Sequence, residues 1–385
     1  MTTDVVVVGV HGHGQSHLRR LRSADPAHVR LVGVCEPRPL SDALRAAVGD
    51  VPVRATLGDV LSETRPDITI VCTPIHTHVD LALEALHAGS DVLLEKPPAS
   101  TLADHERLIA GVAASGRRCQ VAFQSLGSHA LPAVDRLLRE DAIGAVRGIG
   151  GAGTWMRDAS YYARSRWAGR RELDGVPVVD GAVTNPFAHA MATALRIDGS
   201  DRAGQIDRVE TELHHAHDIE ADDTSSVRVI TARGTTITVA VTLCAAATAD
   251  PYLIIHGTRG RITLFYTRDD VHIQTVAGTV VEHHGRTDLL DDLIARRDGT
   301  GGEPLVSPER TTGFMEFMDA VRLAPDPVAI PAAYLRIDAP GPTERRIITG
   351  VDETIHASAE QLLLFSELGA PWARTRDAAS GEVRR

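Results

Sequence analysis

The stretch Asp91-Val92-Leu93-Leu94-Glu95-Lys96-Pro97-Pro98 ends a short apolar run with a carboxylate, an ammonium group and two prolines. Proline cannot donate to a sheet ladder, so a strand must stop here, with Glu95 and Lys96 at its carboxyl edge. In an open α/β sheet that edge is where ligands bind. A lysine held there on rigid backbone suits a proton donor or a stabiliser of an alkoxide. Taken alone, a solvated lysine at a strand end is the plainer reading.

A second constellation changes that balance. The apolar run Val5–Val8 ends in Gly9-Val10-His11-Gly12-His13-Gly14-Gln15-Ser16-His17. A glycine-rich turn between a buried strand and a helix lets backbone approach a pyrophosphate and aims helix N–H groups at it. Gly9 and Gly14 fit the outer positions of G-x-G-x-x-G, His11 stands where the middle glycine belongs, and Gly12 is the residue that can relieve the turn. Glu36 lies 22 residues beyond Gly14, where a ribose-binding carboxylate belongs, and favours NAD over NADP; Arg38 beside it pulls the other way. The loop Cys72-Thr73-Pro74-Ile75-His76-Thr77-His78 follows a third apolar run and occupies the place of a loop packing on a dinucleotide. As a plain connection it would need only Thr77 as a helix cap. Candidate cofactor contacts are therefore Gly9, His11, Gly12, His13, Gly14, Glu36, Thr73, Pro74, His78, Glu95 and Lys96.

These residues need a sheet to hold them. Val5–Val8, Leu31–Cys35, Ile68–Cys72, Val92–Leu94 and Gln120–Phe123 are short and nearly continuously apolar, as strands buried on both faces are. His17–Arg22, Leu40–Val48, His78–His87 and Leu102–Ala114 between them carry helical spacing, and Leu131–Asp141 leads out. Repeated βα units predict an α/β fold with a doubly wound parallel sheet. From about Val146 strand-like alternation dominates, at 208–213, 226–230, 235–243, 253–256, 261–265 and 271–276, with helical stretches at 186–195, 311–323 and 352–368. We expect domains at 1–125 and 126–385, the second an α+β domain with a large, mostly antiparallel open sheet and helices on one face. The uncovered face predicts a homodimer or homotetramer. Segments 285–310 and 335–345 read as loops.

The chain has 385 residues, is 43% hydrophobic and 24% charged, and carries a formal charge of −11. That charge argues against nucleic acid or an anionic membrane as partner. No apolar run approaches a membrane span, and Met-Thr-Thr-Asp leads directly into a strand, so a cytoplasmic location is expected. Cys35, Cys72, Cys119 and Cys244 have no metal-ligand spacing and read as thiols in a reducing compartment.

The glycine turn running into His17, the Thr73-Pro74 loop, the Glu95-Lys96-Pro97 tripeptide and a later histidine-bearing helix resemble, in this order, the glucose–fructose oxidoreductase/inositol dehydrogenase (Gfo/Idh/MocA) family. The resemblance implies an amino-terminal Rossmann domain, a nicotinamide cofactor, and hydride transfer from a secondary alcohol of a sugar, polyol or aminocyclitol. It also aims His189, in Asp180-Gly181-Ala182-Val183-Thr184-Asn185-Pro186-Phe187-Ala188-His189, at catalysis beside Lys96. Asn185 stands where the family often has aspartate; it can hydrogen-bond a hydroxyl but cannot act as a base. A reaction that reoxidises its bound NAD (epimerisation, or oxidation before elimination) and a non-catalytic ligand sensor are the rival readings.

Two of three tryptophans and two of five tyrosines fall between Trp155 and Trp167. Aromatic faces stack on sugar C–H faces, and arginines donate paired hydrogen bonds to hydroxyls or carboxylates. Trp155, Arg157, Tyr162, Arg164 and Trp167 are therefore candidate substrate contacts; alternatively the loop pairs with acidic neighbours. The run His214-His215-Ala216-His217-Asp218-Ile219-Glu220 reads as a solvated turn, and no metal is expected.

Overall fold

The computed structural model describes residues 2–373. The chain forms two units, the first made of Met1–Phe123 and Asp288–Arg310, the second of Gln124–Thr287 and the chain from Thr311 onward. Part of the expected second domain, beyond residue 373, lies outside the described residues.

In the first unit, β1 (Thr3–Val8), β2 (Val29–Cys35), β3 (Val53–Arg54), β4 (Ile68–Val71), β5 (Asp91–Leu94) and β6 (Cys119–Val121) form one sheet in the order β3-β2-β1-β4-β5-β6. Every pairing is parallel. Val5–Val7, Ile68, Ile70, Val92 and Leu94 are fully buried, as an apolar run without alternation requires. Helices Gly14–Ser23, Asp42–Val48, Leu57–Thr64, His78–His87 and Leu102–Ser115 make the crossovers. The strand order reverses between β1 and β4, which puts the Gly9 turn and the Thr73 loop at a topological switch point. The helix Leu57–Thr64 and the two-residue β3 were not anticipated.

The segment expected as a loop at 285–310 is instead part of this unit. Asp288 caps the helix Leu289–Ala295 by accepting from the backbone N–H of Leu290 and Asp291. The Gln120 amide donates to Leu289 O (2.8 Å) and to Asp292 (2.9 Å), while Gln120 Oε1 accepts from Val306 N (2.9 Å). Val121 N bonds Val306 O at 2.8 Å, and buried His105 meets Pro308 O at 3.0 Å. The returning segment thus covers the β6 edge.

The second unit contains β7 (Val146–Thr154), a small hairpin β8–β9 (Glu172–Leu173, Val176–Pro177), β10 (Ile206–His215), β11 (Thr224–Thr231), β12 (Thr236–Thr242), β13 (Tyr252–Gly257), β14 (Gly260–Phe265), β15 (Asp270–Thr275), β16 (Gly278–His283) and β17 (Val328–Ala329). Apart from the hairpin these form a nine-stranded sheet, β16-β15-β14-β13-β7-β12-β11-β10-β17. It is mostly antiparallel, with β7–β12 and β10–β17 running parallel. Segment 335–345, expected as a loop, begins and ends in a hairpin of β18 (Leu335–Asp338) and β19 (Arg345–Ile348).

The sequence Val-Arg-Gly-Ile-Gly-Gly-Ala-Gly-Thr hid β7, the strand joining the two halves of this sheet, because glycine is depleted in strands. Its glycines serve close packing. A Cβ on Gly150 would fall 1.9 Å from Ala359 O, in helix Val351–Gln361, and one on Gly153 would fall 2.3 Å from the Phe187 ring, just before helix Ala188–Asp198. Residues 150 and 153 point to opposite faces, so helices cover both faces at the sheet's centre rather than one as expected. The helix expected over 352–368 stops at Gln361, because Leu362 takes a left-handed conformation (φ +59°). Among the described residues, no helix is long and apolar enough to cross a membrane.

Candidate active site

In the first unit the glycine turn follows β1 with Gly9 at φ +80° and Gly12 at φ +71°. A Cβ at Gly9 would lie 2.7 Å from Cys72 O, and one at Gly14 would lie 1.9 Å from Gly9 O. Gly12, with open space where a side chain would project, takes the left-handed step that His11 could not take cheaply. Helix Gly14–Ser23 then begins with no acidic residue in its first turn, leaving its positive end available to an anion. Glu36, at the end of β2, reaches back to the turn and accepts from Val10 N at 3.2 Å. Burial opposes its ionisation, but the hydrogen bonds from Arg38 (N and Nε, both 3.0 Å) outweigh this and hold its pKa below the ordinary value. Arg38 is therefore paired with Glu36, at the place where a ribose would be read. His11 lies 3.9 Å from the same carboxylate. A crowded glycine cradle, an uncapped helix N-terminus and an ionised carboxylate fit a dinucleotide.

Another carboxylate of this unit, Glu95, is buried and lies 3.3 Å from both His13 Nε2 and His17 Nε2. Burial again opposes the charge, and the His17 hydrogen bond with the charges of His13, His17 and Lys96 prevails, so its pKa is lowered. Glu95 Oε2 also accepts from Lys96 N at 3.3 Å. Lys96 itself is half-buried. His78 is fully buried, with Nδ1 2.9 Å from Pro97 O and Nε2 2.8 Å from Thr73 O. It ties the Thr73-Pro74 loop to the tripeptide rather than presenting its ring to a ligand. Thr77 is no side-chain cap; its hydroxyl turns back to Thr73 Oγ1 and Pro74 O, both at 2.7 Å.

In the second unit, β7 delivers the chain to Trp155, whose ring packs on Phe187 at 4.3 Å between centroids. Arg157 lies over Trp155 (4.9 Å) and Tyr161 (5.3 Å), and Arg164 over Tyr161 (3.7 Å) and Trp167 (4.7 Å). Asp158 caps the short helix Ala159–Ala163 that turns these rings together. Tyr162 faces away from the arginines, with its ring 4.9 Å from that of His217. Arg164 pairs with Asp180 at 3.1 Å, so its charge already has an acidic neighbour.

Asp180 is the residue that the motif reading missed. Its buried carboxylate accepts from Arg164, from Gly169 N (2.8 Å) and from the Asn185 side chain. A carboxylate is thus present beside position 185, supplied from five residues earlier. The only signal was an aspartate opening the Asp180–His189 segment. His189 sits in the first turn of helix Ala188–Asp198, half-buried, with Nδ1 3.1 Å from Ser125 Oγ, and Thr193 Oγ1 meets Ser125 Oγ at 2.9 Å. When Nδ1 carries the ring proton it donates to Ser125 and leaves Nε2 as an acceptor. Ser125 and Thr193 carried no sequence signal.

The His214–Glu220 run is no solvated turn. Strand β10 extends to His215, and His214 and His217 are both 4% exposed. Among the described residues two groups bring three potential ligand atoms within 4.8 Å of one another, His13/His17/Glu95 and His217/Asp223/Cys244.

Comparison with known proteins agrees with this organisation. Residues 3–123 match the oxidoreductase family model GFO_IDH_MocA, NAD-binding Rossmann fold, and residues 132–263 match the GFO/IDH/MocA C-terminal domain, together more than half of the chain. Over 120 residues the chain is 38% identical to inositol 2-dehydrogenase 1 of Saccharopolyspora erythraea, a match covering 31% of this chain. The chain spans about a third (35%) of the length of that relative. The WlbA dehydrogenase of Bordetella pertussis, solved with NADH and UDP-GlcNAcA, superposes with a TM-score of 0.69 at 22% identity, covering 83% of this chain and 95% of that one. The UDP-N-acetylglucosamine 3-dehydrogenase GnnA of Acidithiobacillus ferrooxidans superposes with a TM-score of 0.67 at 16% identity, covering 84% of this chain and 98% of that one. At these identities the structural likeness is one of fold. The chain belongs to the GFO/IDH/MocA oxidoreductase family, with that family's NAD-binding Rossmann fold in its amino-terminal part and its C-terminal domain after it.

Proposed function

We propose that the protein is a dehydrogenase of CH–OH groups, transferring hydride between a secondary alcohol of a sugar, polyol or aminocyclitol and NAD. The observation that carries this reading is the ionised Glu36 bonded to the backbone of the glycine turn, joined to a family whose relatives are named for inositol and UDP-sugar oxidation. Bound NAD would supply the hydride acceptor. Gly9, Gly12 and Gly14 would admit the pyrophosphate, Glu36 the ribose, and the Thr73-Pro74 loop would pack on the cofactor. Lys96 would donate a hydrogen bond to the substrate oxygen and hold its developing negative charge. His189 Nε2 would take the hydroxyl proton, with Ser125 orienting the ring. Trp155, Arg157, Arg164 and Trp167 would line the substrate side, whereas Tyr162 turns to His217.

The test is cofactor reduction by the purified protein with a panel of inositols, free sugars and UDP-sugars. NADH should form with at least one of them. Discrimination against NADP by about 1–2 kcal/mol is expected, since Glu36 would face the extra phosphate. Equal use of NADP would point to Arg38 leaving Glu36 for that phosphate.

A further inference from the structure

We propose that His217, Asp223 and Cys244 form a binding site for a zinc-class divalent cation in the second unit. His217 Nδ1 lies 3.1 Å from Asp223 Oδ2 and 3.5 Å from Cys244 Sγ, and all three side chains are buried. Zinc bonds nitrogen and oxygen at about 2.0–2.2 Å and sulfur at about 2.3 Å, so tetrahedral geometry separates N from O by ~3.3 Å and N from S by ~3.6 Å. The donors already stand at nearly those separations.

One other reading of the trio fits less well. In a nucleophilic triad the histidine uses opposite nitrogens for acid and thiol, whereas here both partners meet Nδ1. The carboxylate is also braced as metal-bound carboxylates are: Asp223 accepts from Ala216 N, His217 N and Thr224 Oγ1. The donors come from the end of one strand, the start of the next and the bridge at Cys244, so the site depends on β10–β12 being assembled.

Three protein donors leave a fourth position, as in zinc sites that bind water or an external oxygen. Tyr162 packs its ring against His217 and carries a buried hydroxyl without a partner among the described residues. An oxygen ligand on the cation would give that hydroxyl an acceptor. Entry of the cation displaces the thiol proton to solvent, so binding weakens as the pH falls.

The experiment is titration of chelator-treated full-length protein with Co(II), then competition with Zn(II). One equivalent of cobalt should bind with a thiolate-to-metal absorption band, zinc should abolish the band, and either metal should raise Tm by several degrees. Cys244→Ser should remove the band and weaken binding by at least tenfold with the apo Tm nearly unchanged. Substoichiometric binding below a tenth of an equivalent, or a band that survives in Cys244→Ser, overturns the proposal. If Cys244→Ser does not fold, X-ray absorption of the wild-type zinc form decides: one sulfur with nitrogen and oxygen neighbours supports the site, and a shell without sulfur refutes it.

Discussion

Glu95 in the first unit and Asp180 in the second are both buried acids close in sequence to a candidate catalytic residue, yet they are held differently. Glu95 is held by the imidazoles of His13 and His17, and it is adjacent to Lys96 in the chain. Asp180 is held by the Arg164 guanidinium and by two neutral donors, the Gly169 backbone N–H and the Asn185 amide. The first carboxylate meets side chains of the glycine turn and its helix; the second is a brace tying residues 164, 169 and 185 together. Asparagine at 185 also makes sense beside Asp180, because an aspartate there would put two carboxylates within hydrogen-bonding distance and force one to stay protonated.

The largest test of this contrast is removal of the groups the two acids accompany. Lys96→Ala and His189→Ala should each lose roughly two to four decades of kcat in steady-state assays, with NAD affinity much less affected. Unchanged turnover in Lys96→Ala would remove Glu95 from the catalytic account altogether. Asp180→Ala should act mainly on stability and substrate affinity, since three donors lose their acceptor. A destabilisation of about 1–3 kcal/mol in chemical denaturation, with KM raised more than kcat is lowered, is expected. Asn185→Asp alone should be impaired, and the exchange Asp180→Asn with Asn185→Asp should recover most of the loss. Failure of the exchange to recover activity would mean that the two positions are not one brace.

A pH series sharpens the comparison at the level of the units. His105 in the first unit and His214 in the second are buried, and burial pushes the pKa of each down to about 4. Each is neutral in the fold and gains a proton on unfolding near pH 6.5. The stability tied to each is therefore intact above that pH and is lost as the pH falls towards 4. At pH 5 the loss is about 2 kcal/mol for each histidine. Tm measured between pH 7.5 and 4.5 should fall along this course, and His105→Gln should flatten the part due to the first unit. The smallest effect is expected at Ser125→Ala: a loss of about tenfold in kcat with a shifted pH–rate profile and little change in Tm, because only the orientation of His189 is disturbed.

Legibility in the sequence followed the same divide. Buried parallel strands announce themselves as apolar runs, so β1, β2, β4, β5 and the Glu95-Lys96-Pro97 edge could be read locally. Strand β7 could not, because its glycines answer to Ala359 and Phe187, which lie far along the chain. His214 and His217 looked like surface residues since charged neighbours surround them in sequence, whereas strand pairing carries them inside. Asp180 and Ser125 gain their meaning from partners at Arg164, Gly169, His189 and Thr193, and no short window contains those pairs.

The return of Asp288–Arg310 to the first unit bears on how the protein is made. Edge strand β6 has its Gln120 side chain and Val121 backbone completed by Leu289, Asp292 and Val306, residues that leave the ribosome more than 160 positions later. The amino-terminal sheet emerges first but cannot close its last edge until the intervening unit has been translated. For that interval it presents an open strand, the kind of surface on which nascent chains aggregate or recruit chaperones.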